Sequence, residues 1–135
     1  MSFNKVKTDA VLGKMIHEHL VKCGVETPVV DNGLSRTEKI DIIELKFRNI
    51  MQALGLDLDD DSLVETPKRV AKMMVSEIFW GLDYDAFPKC TTVENKMNYD
   101  EMVVERNVNV QSNCEHHFVV IDGFATVGYI PNEKV

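Results

Sequence analysis

The chain has 135 residues, 44% hydrophobic and 27% charged, which suits one compact domain or a domain with a helical extension and excludes disorder throughout. Fifteen Lys and Arg against 22 Asp and Glu leave a net charge of -7, and the sequence pI near 5.0 argues against general nucleic-acid or anionic-membrane binding. A local basic pocket for an anionic small molecule stays open.

Cys23, Cys90 and Cys114 are too few and too scattered for a disulfide framework. With no signal peptide, they read as reduced thiols of a cytoplasmic protein. No apolar run approaches the roughly 18 residues that cross a bilayer.

Between Thr8 and Lys22, the residues Val11, Leu12, Met15, Ile16, His19 and Leu20 recur at helical spacing. Gly24 is placed to end that helix in a left-handed conformation. His17 and His19 fall on it as surface or core-edge residues. Glu26 to Gly33 reads as a linker, with a Pro and an Asn-Gly pair.

Ser35 and Glu38 have the spacing of a capping box and open a second helix. Ile42, Ile43, Phe47, Ile50, Met51 and Leu54 line one face of it as far as Gly55. The acidic residues Asp57, Asp59, Asp60 and Asp61 read as a solvated loop; the spaced oxygens and turn glycine of a calcium loop are missing.

Thr66-Pro67 starts a third helix, with Thr as N-cap and Pro at the first helical position. Val70, Met73, Met74 and Ile78 form its buried stripe, Gly81 ends it, and Asp83 to Lys89 is loop. Arg69 and Lys72 share a face of this helix and suit either a phosphate clamp or a solvated surface.

Beyond Thr91 the period changes to two. Met102, Val104, Val108 and Val110 alternate with polar residues, as in a half-buried strand. Phe118 to Ile121 and Ala125 to Ile130 are strand-like, joined at Asp122-Gly123 by a tight turn or a bulge. Helices followed by strands predict an α+β fold.

Cys114-Glu115-His116-His117 carries the most chemistry. A thiolate with imidazole suits zinc. In a continued strand, Cys114 and His116 would share a face. In a turn, Cys114 and His117 come together and His116 stands free beside the ion, where a general acid would be. The break in alternation at Ser112-Asn113 favours the turn. Two ligands do not complete a catalytic zinc, which takes three.

These residues resemble the GTP cyclohydrolase I family, in its bacterial form. The resemblance runs through Asp61-Ser62-Leu63, Glu65-Thr66-Pro67, Arg69-Val70-Ala71-Lys72-Met73 and Glu77-Ile78-Phe79 with Gly81-Leu82-Asp83-Tyr84. It continues in Glu94-Asn95-Lys96-Met97, Asp100-Glu101-Met102-Val103, Ser112 to Phe118, Ile121-Asp122-Gly123 and Gly128-Tyr129-Ile130-Pro131.

The resemblance implies a zinc enzyme that opens the guanine imidazole ring of GTP. Its products are 7,8-dihydroneopterin triphosphate and formate, at the entry to folate and pterin biosynthesis. Cys114 and His117 match two zinc ligands, His116 the general acid/base, and Arg69 and Lys72 positions that reach the triphosphate from a neighbouring subunit. The fold implied is the tunnelling fold, with homo-oligomers of two stacked pentameric rings. On this reading residues 1–60 are an N-terminal helical region and residues 61–135 the start of the catalytic domain, through its first β-hairpin.

Family members continue well past the position of Val135. The continuation supplies the third zinc ligand, a second active-site histidine, the residues that recognise guanine and further basic residues. The expectation is therefore a fragment or truncated product, inactive alone. The alternatives are a non-catalytic paralogue that joins oligomers, and a small structural zinc protein whose site is completed across subunits by Cys90 or Cys23.

Overall fold

The computed structural model describes residues 7–135. It has the expected α+β order. The helices are α1 (Ala10–Cys23), α2 (Arg36–Ala53) and α3 (Thr66–Met73), and the strands are β1 (Val103–Asn113) and β2 (Val120–Tyr129). Contacts divide the chain into two compact units, one ending at Lys89 and one spanning Cys90–Val135. The 60/61 division read from the sequence rests on kinship; the division at Lys89 rests on contact.

In the first unit, Asp9 caps α1 by accepting from the Leu12 amide at 2.9 Å. Gly24, at φ 66°, turns its amide back to Leu20 and Val21 and ends the helix. The start of α1 is tied to the 87–89 stretch: the Asp9 amide donates to the Phe87 carbonyl at 2.8 Å, and the Lys89 amide to the Lys7 carbonyl at 3.0 Å. The expected loop at Asp83 to Lys89 is thus anchored and contains a short 3-10 turn, Tyr84–Ala86. Gly13 makes the approach possible. A Cβ there would lie 2.0 Å from the Tyr84 carbonyl oxygen.

The capping box at α2 is complete. The Ser35 amide donates to Glu38 Oε2 at 2.8 Å, and the Glu38 amide to Ser35 Oγ at 3.3 Å. These bonds hold the Glu38 carboxyl below the usual carboxylate range, the Ser35 side chain contributing most. The buried line of α2 is narrower than expected. Met51 is buried and Ile43 and Phe47 half-buried, while Ile42, Ile50 and Leu54 stay exposed. Within the unit α2 packs chiefly on α3, and one helical neighbour covers only one line of side chains.

The start of α3 differs from expectation. Glu65, not Thr66, is the N-cap, and it makes no side-chain cap bond. The chain already turns before it: the Val64 amide reaches the Asp60 carbonyl and the Thr66 amide the Leu63 carbonyl. Thr66 is therefore inside the helix. The buried line is also shifted, to Pro67 and Ala71, with Met73 exposed. Nor does the helix run to Gly81. It loosens into a π segment at Met74–Ile78, and Gly81 sits in a 3-10 turn, Trp80–Leu82. The extra residue in a π turn rotates the next residues away from the α-helical stripe.

In the second unit, β1 and β2 form one antiparallel hairpin. The Asp122-Gly123 turn is not there: both residues pair within β2, opposite Gln111 and Val110. The even-numbered apolar face is broken as well. Glu105 pairs with Val127 but Val108 with Ala125, so Arg106 and Asn107 form a bulge, with Asn107 at φ 58°. Beyond the bulge the faces exchange, and Val103 shares a face with Val108 and Val110 in place of Val104. Val103, Val108, Gly123 and Ala125 are the half-buried residues of that face. Pro131 is the one residue of this unit that is buried.

Asn95 fastens the open end of the hairpin. Its Nδ2 donates to the Tyr99 and Asn132 carbonyls at 2.8 and 2.9 Å, and its Oδ1 accepts from the Tyr99 amide at 2.9 Å. The Val93 and Val135 backbones exchange two further bonds beside it.

This packing sets three expectations. Gly13→Ala should destabilise the chain by about 2–3 kcal/mol in thermal or urea unfolding, because backbone rather than a side-chain tip must move. Asn95→Ala should cost about 1–3 kcal/mol and speed amide exchange at Val93 and Val135. The Glu38 carboxyl is depressed in the folded state, so its cap contributes above the ordinary carboxylate range. That contribution is lost as pH falls through the lower Glu38 value. The Ser35 amide resonance should titrate in that acidic window, and not in Glu38→Gln.

Candidate functional site

The hairpin tip is a turn of five residues, Cys114 to Phe118. Its ends are closed by two backbone bonds of 2.8 Å, from the Cys114 amide to the Val119 carbonyl and from the Phe118 amide to the Cys114 carbonyl. Phe118 takes the left-handed conformation at φ 57° to let the chain re-enter β2.

That turn brings Cys114 and His117 together. Cys114 Sγ lies 3.7 Å from His117 Nδ1. Ligand lengths of about 2.3 Å to sulfur and about 2.0 Å to nitrogen, at a tetrahedral angle, separate two donors by about 3.5 Å. The pair therefore has the bite of a single tetrahedral ion. Cys114 is half-buried, and His116 and His117 are exposed. The two imidazoles are 6.5 Å apart and tilted by 52°, so His116 stands clear of the Cys114–His117 pair.

Among the described residues, no group of three or more His, Cys, Asp or Glu side chains is gathered to hold an ion. Cys114 and His117 are thus a two-donor arrangement. None of the three cysteines forms a disulfide.

Arg69 and Lys72 are exposed on α3, in the first unit. Neither makes an ion pair among the described residues. Their i, i+3 spacing presents two cations on one face. A shallow groove lined by Val93, Tyr99, Met102, Val103 and Val135 lies at the open end of the hairpin, away from the tip.

One polar cluster was not legible in the sequence. His17 stacks on Tyr84, with ring centroids 4.5 Å apart. Glu26 Oε1 comes within 2.8 Å of His17 Nε2, but accepts no well-directed hydrogen bond. Burial first, and then the charge of Glu26, push the Tyr84 hydroxyl above its usual range. Residues 17 and 84 meet only because α1 packs on the 3-10 turn, and no local pattern announces that contact.

A sequence profile described as GTP cyclohydrolase I matches residues 43–135. The GTP cyclohydrolase 1 of Aliivibrio salmonicida (strain LFI1238) is 57% identical over 121 residues, covering 90% of this chain and 56% of that protein. That of Aeromonas salmonicida (strain A449) is 59% identical over 112 residues, covering 83% of this chain and 51% of its own length. That of Shewanella loihica (strain ATCC BAA-1088 / PV-4) is 52% identical over 122 residues, covering 90% and 57%.

An α+β chain with a thiol and an imidazole paired at a hairpin tip, matched over most of its length in this way, has a family. It belongs to the GTP cyclohydrolase I family. The chain spans about half the length of the curated relatives it matches. No helix among the described residues is long and apolar enough to cross a membrane.

Proposed function

We propose that these residues form part of a zinc-dependent GTP cyclohydrolase I, with Cys114 and His117 as two of the zinc ligands. The observation that carries this reading is the 3.7 Å separation of Cys114 Sγ and His117 Nδ1. It lies within about 0.2 Å of the separation two donors on one zinc require. When bound, zinc supplies Lewis acidity and makes water nucleophilic near neutral pH.

The other roles rest on position. His117 would hold the ion through Nδ1, the ring nitrogen that faces Cys114 Sγ. His116, outside the pair, is the group that moves a proton to or from the purine ring as it opens. Arg69 and Lys72 of a neighbouring subunit neutralise triphosphate oxygens. The reaction is hydrolytic opening of the guanine imidazole ring of GTP, giving 7,8-dihydroneopterin triphosphate and formate. We place it in the cytoplasm, in folate and pterin synthesis.

Exposed apolar side chains on the hairpin support a homo-oligomer built of tunnelling-fold rings. Phe118, Val120, Phe124 and Ile130 are each at least 60% exposed, and a lone hairpin is marginal in water. A water-activating zinc takes three protein ligands, and among the described residues two are gathered at the hairpin tip. The 135 residues by themselves therefore do not turn over GTP.

Zinc titration followed through the imidazole resonances tests the ligands. His117 should shift and saturate, and His116 should change little. Cys114→Ser should weaken the His117 response about tenfold or more. Equal responses of both rings, or none, would sink the assignment. Incubating the chain with GTP and zinc should give no pterin fluorescence after oxidation; its appearance would overturn the claim of inactivity.

A further inference from the structure

A second thiol and imidazole meet on α1, far along the sequence from the hairpin. His19 Nε2 lies 3.6 Å from Cys23 Sγ, one helical turn apart, and both side chains are exposed. This is again the separation of two donors on one tetrahedral ion, about 3.5 Å. The i, i+4 spacing puts them on one face by construction.

The position favours a cation over a reactive thiolate. Cys23 is the last residue of α1. The negative end of the helix dipole favours a bound positive charge there. Reactive thiolates occupy helix N-termini instead.

We propose that His19 and Cys23 form a binding site for a thiophilic d10 cation of the zinc, cadmium or copper(I) type, separate from the hairpin tip. On binding, the Cys23 thiol gives its proton to solvent and the sulfur takes the ion, with His19 Nε2 as second donor. Sulfur and imidazole select such cations over magnesium or calcium. Two open tetrahedral positions remain for water.

Cobalt(II) is the probe, because its thiolate charge-transfer absorption reports a sulfur ligand. The titration is made on Cys114→Ser, which removes the hairpin thiol. A charge-transfer band should persist there, and the His19 imidazole resonance should respond with it. Adding Cys23→Ser should abolish the band, and adding His19→Gln should weaken binding about tenfold. Both side chains are exposed, so helicity should be unchanged by circular dichroism in each variant. No band in Cys114→Ser would mean that the contact is only a thiol–imidazole hydrogen bond. A band indifferent to both substitutions would assign the sulfur to Cys90. Either result overturns the proposal.

Discussion

Two backbone hydrogen bonds at the hairpin tip govern the second unit. Both involve Cys114: its amide reaches Val119 and its carbonyl receives the Phe118 amide. They fix the length of the reversal, and so the register of the pairs from Asn113–Val120 to Val108–Ala125, where the bulge shifts it by one residue. They also set the distance between Cys114 and His117, since residues three apart in a closed turn must approach. The same residue thus closes the loop with its backbone and offers the thiol. Phe118 in the left-handed region costs of the order of 1 kcal/mol, offset by pairing on both sides.

The first unit rests on a different constraint, close approach of backbone. Its buried hydrophobic residues are Met51, Leu58, Ala71 and Ala86, with Pro67. Three of these five are small or rigid, and Gly13 lets α1 meet the Tyr84 carbonyl directly. Contacts of this kind fix geometry but bury little apolar area. Much apolar surface consequently stays exposed, on α2 as on the hairpin. Contiguous apolar surface of that kind marks places where proteins meet other surfaces.

Local rules were legible where the physics is local. The capping box at Ser35 and the Gly24 stop were read from a few residues, because side chains there bond backbone groups two to four positions away. The turn at Cys114 was read from a break in alternation. Legibility failed where geometry is decided by a partner. Asp122-Gly123 looks like a turn, but pairing with Val110 and Gln111 holds it extended. Thr66 looks like an N-cap, but a turn already under way from Asp60 moves the cap to Glu65. The two-residue period across Glu105 to Val108 hid a bulge, since nothing in Arg106-Asn107 is apolar enough to show which side it faces. The His17–Glu26–Tyr84 cluster was illegible for the same reason: it depends on α1 meeting a segment some 70 positions later.

The bulge has one further effect. The extra residue at Arg106-Asn107 lets Val103 and Glu105 lie on the side of Val108 and Val110, although the count along β1 changes parity. Removing either bulge residue would leave those side chains on the faces they already hold. Val104 would stay on the opposite side from Val108, and Met102 would keep its place against Gly128. The hairpin therefore behaves as two half-ribbons of opposite parity, spliced at Arg106-Asn107. A single-codon deletion at the splice would straighten the ribbon and leave both halves facing as they do, whereas a deletion elsewhere along β1 would set one half out of parity with its partner strand.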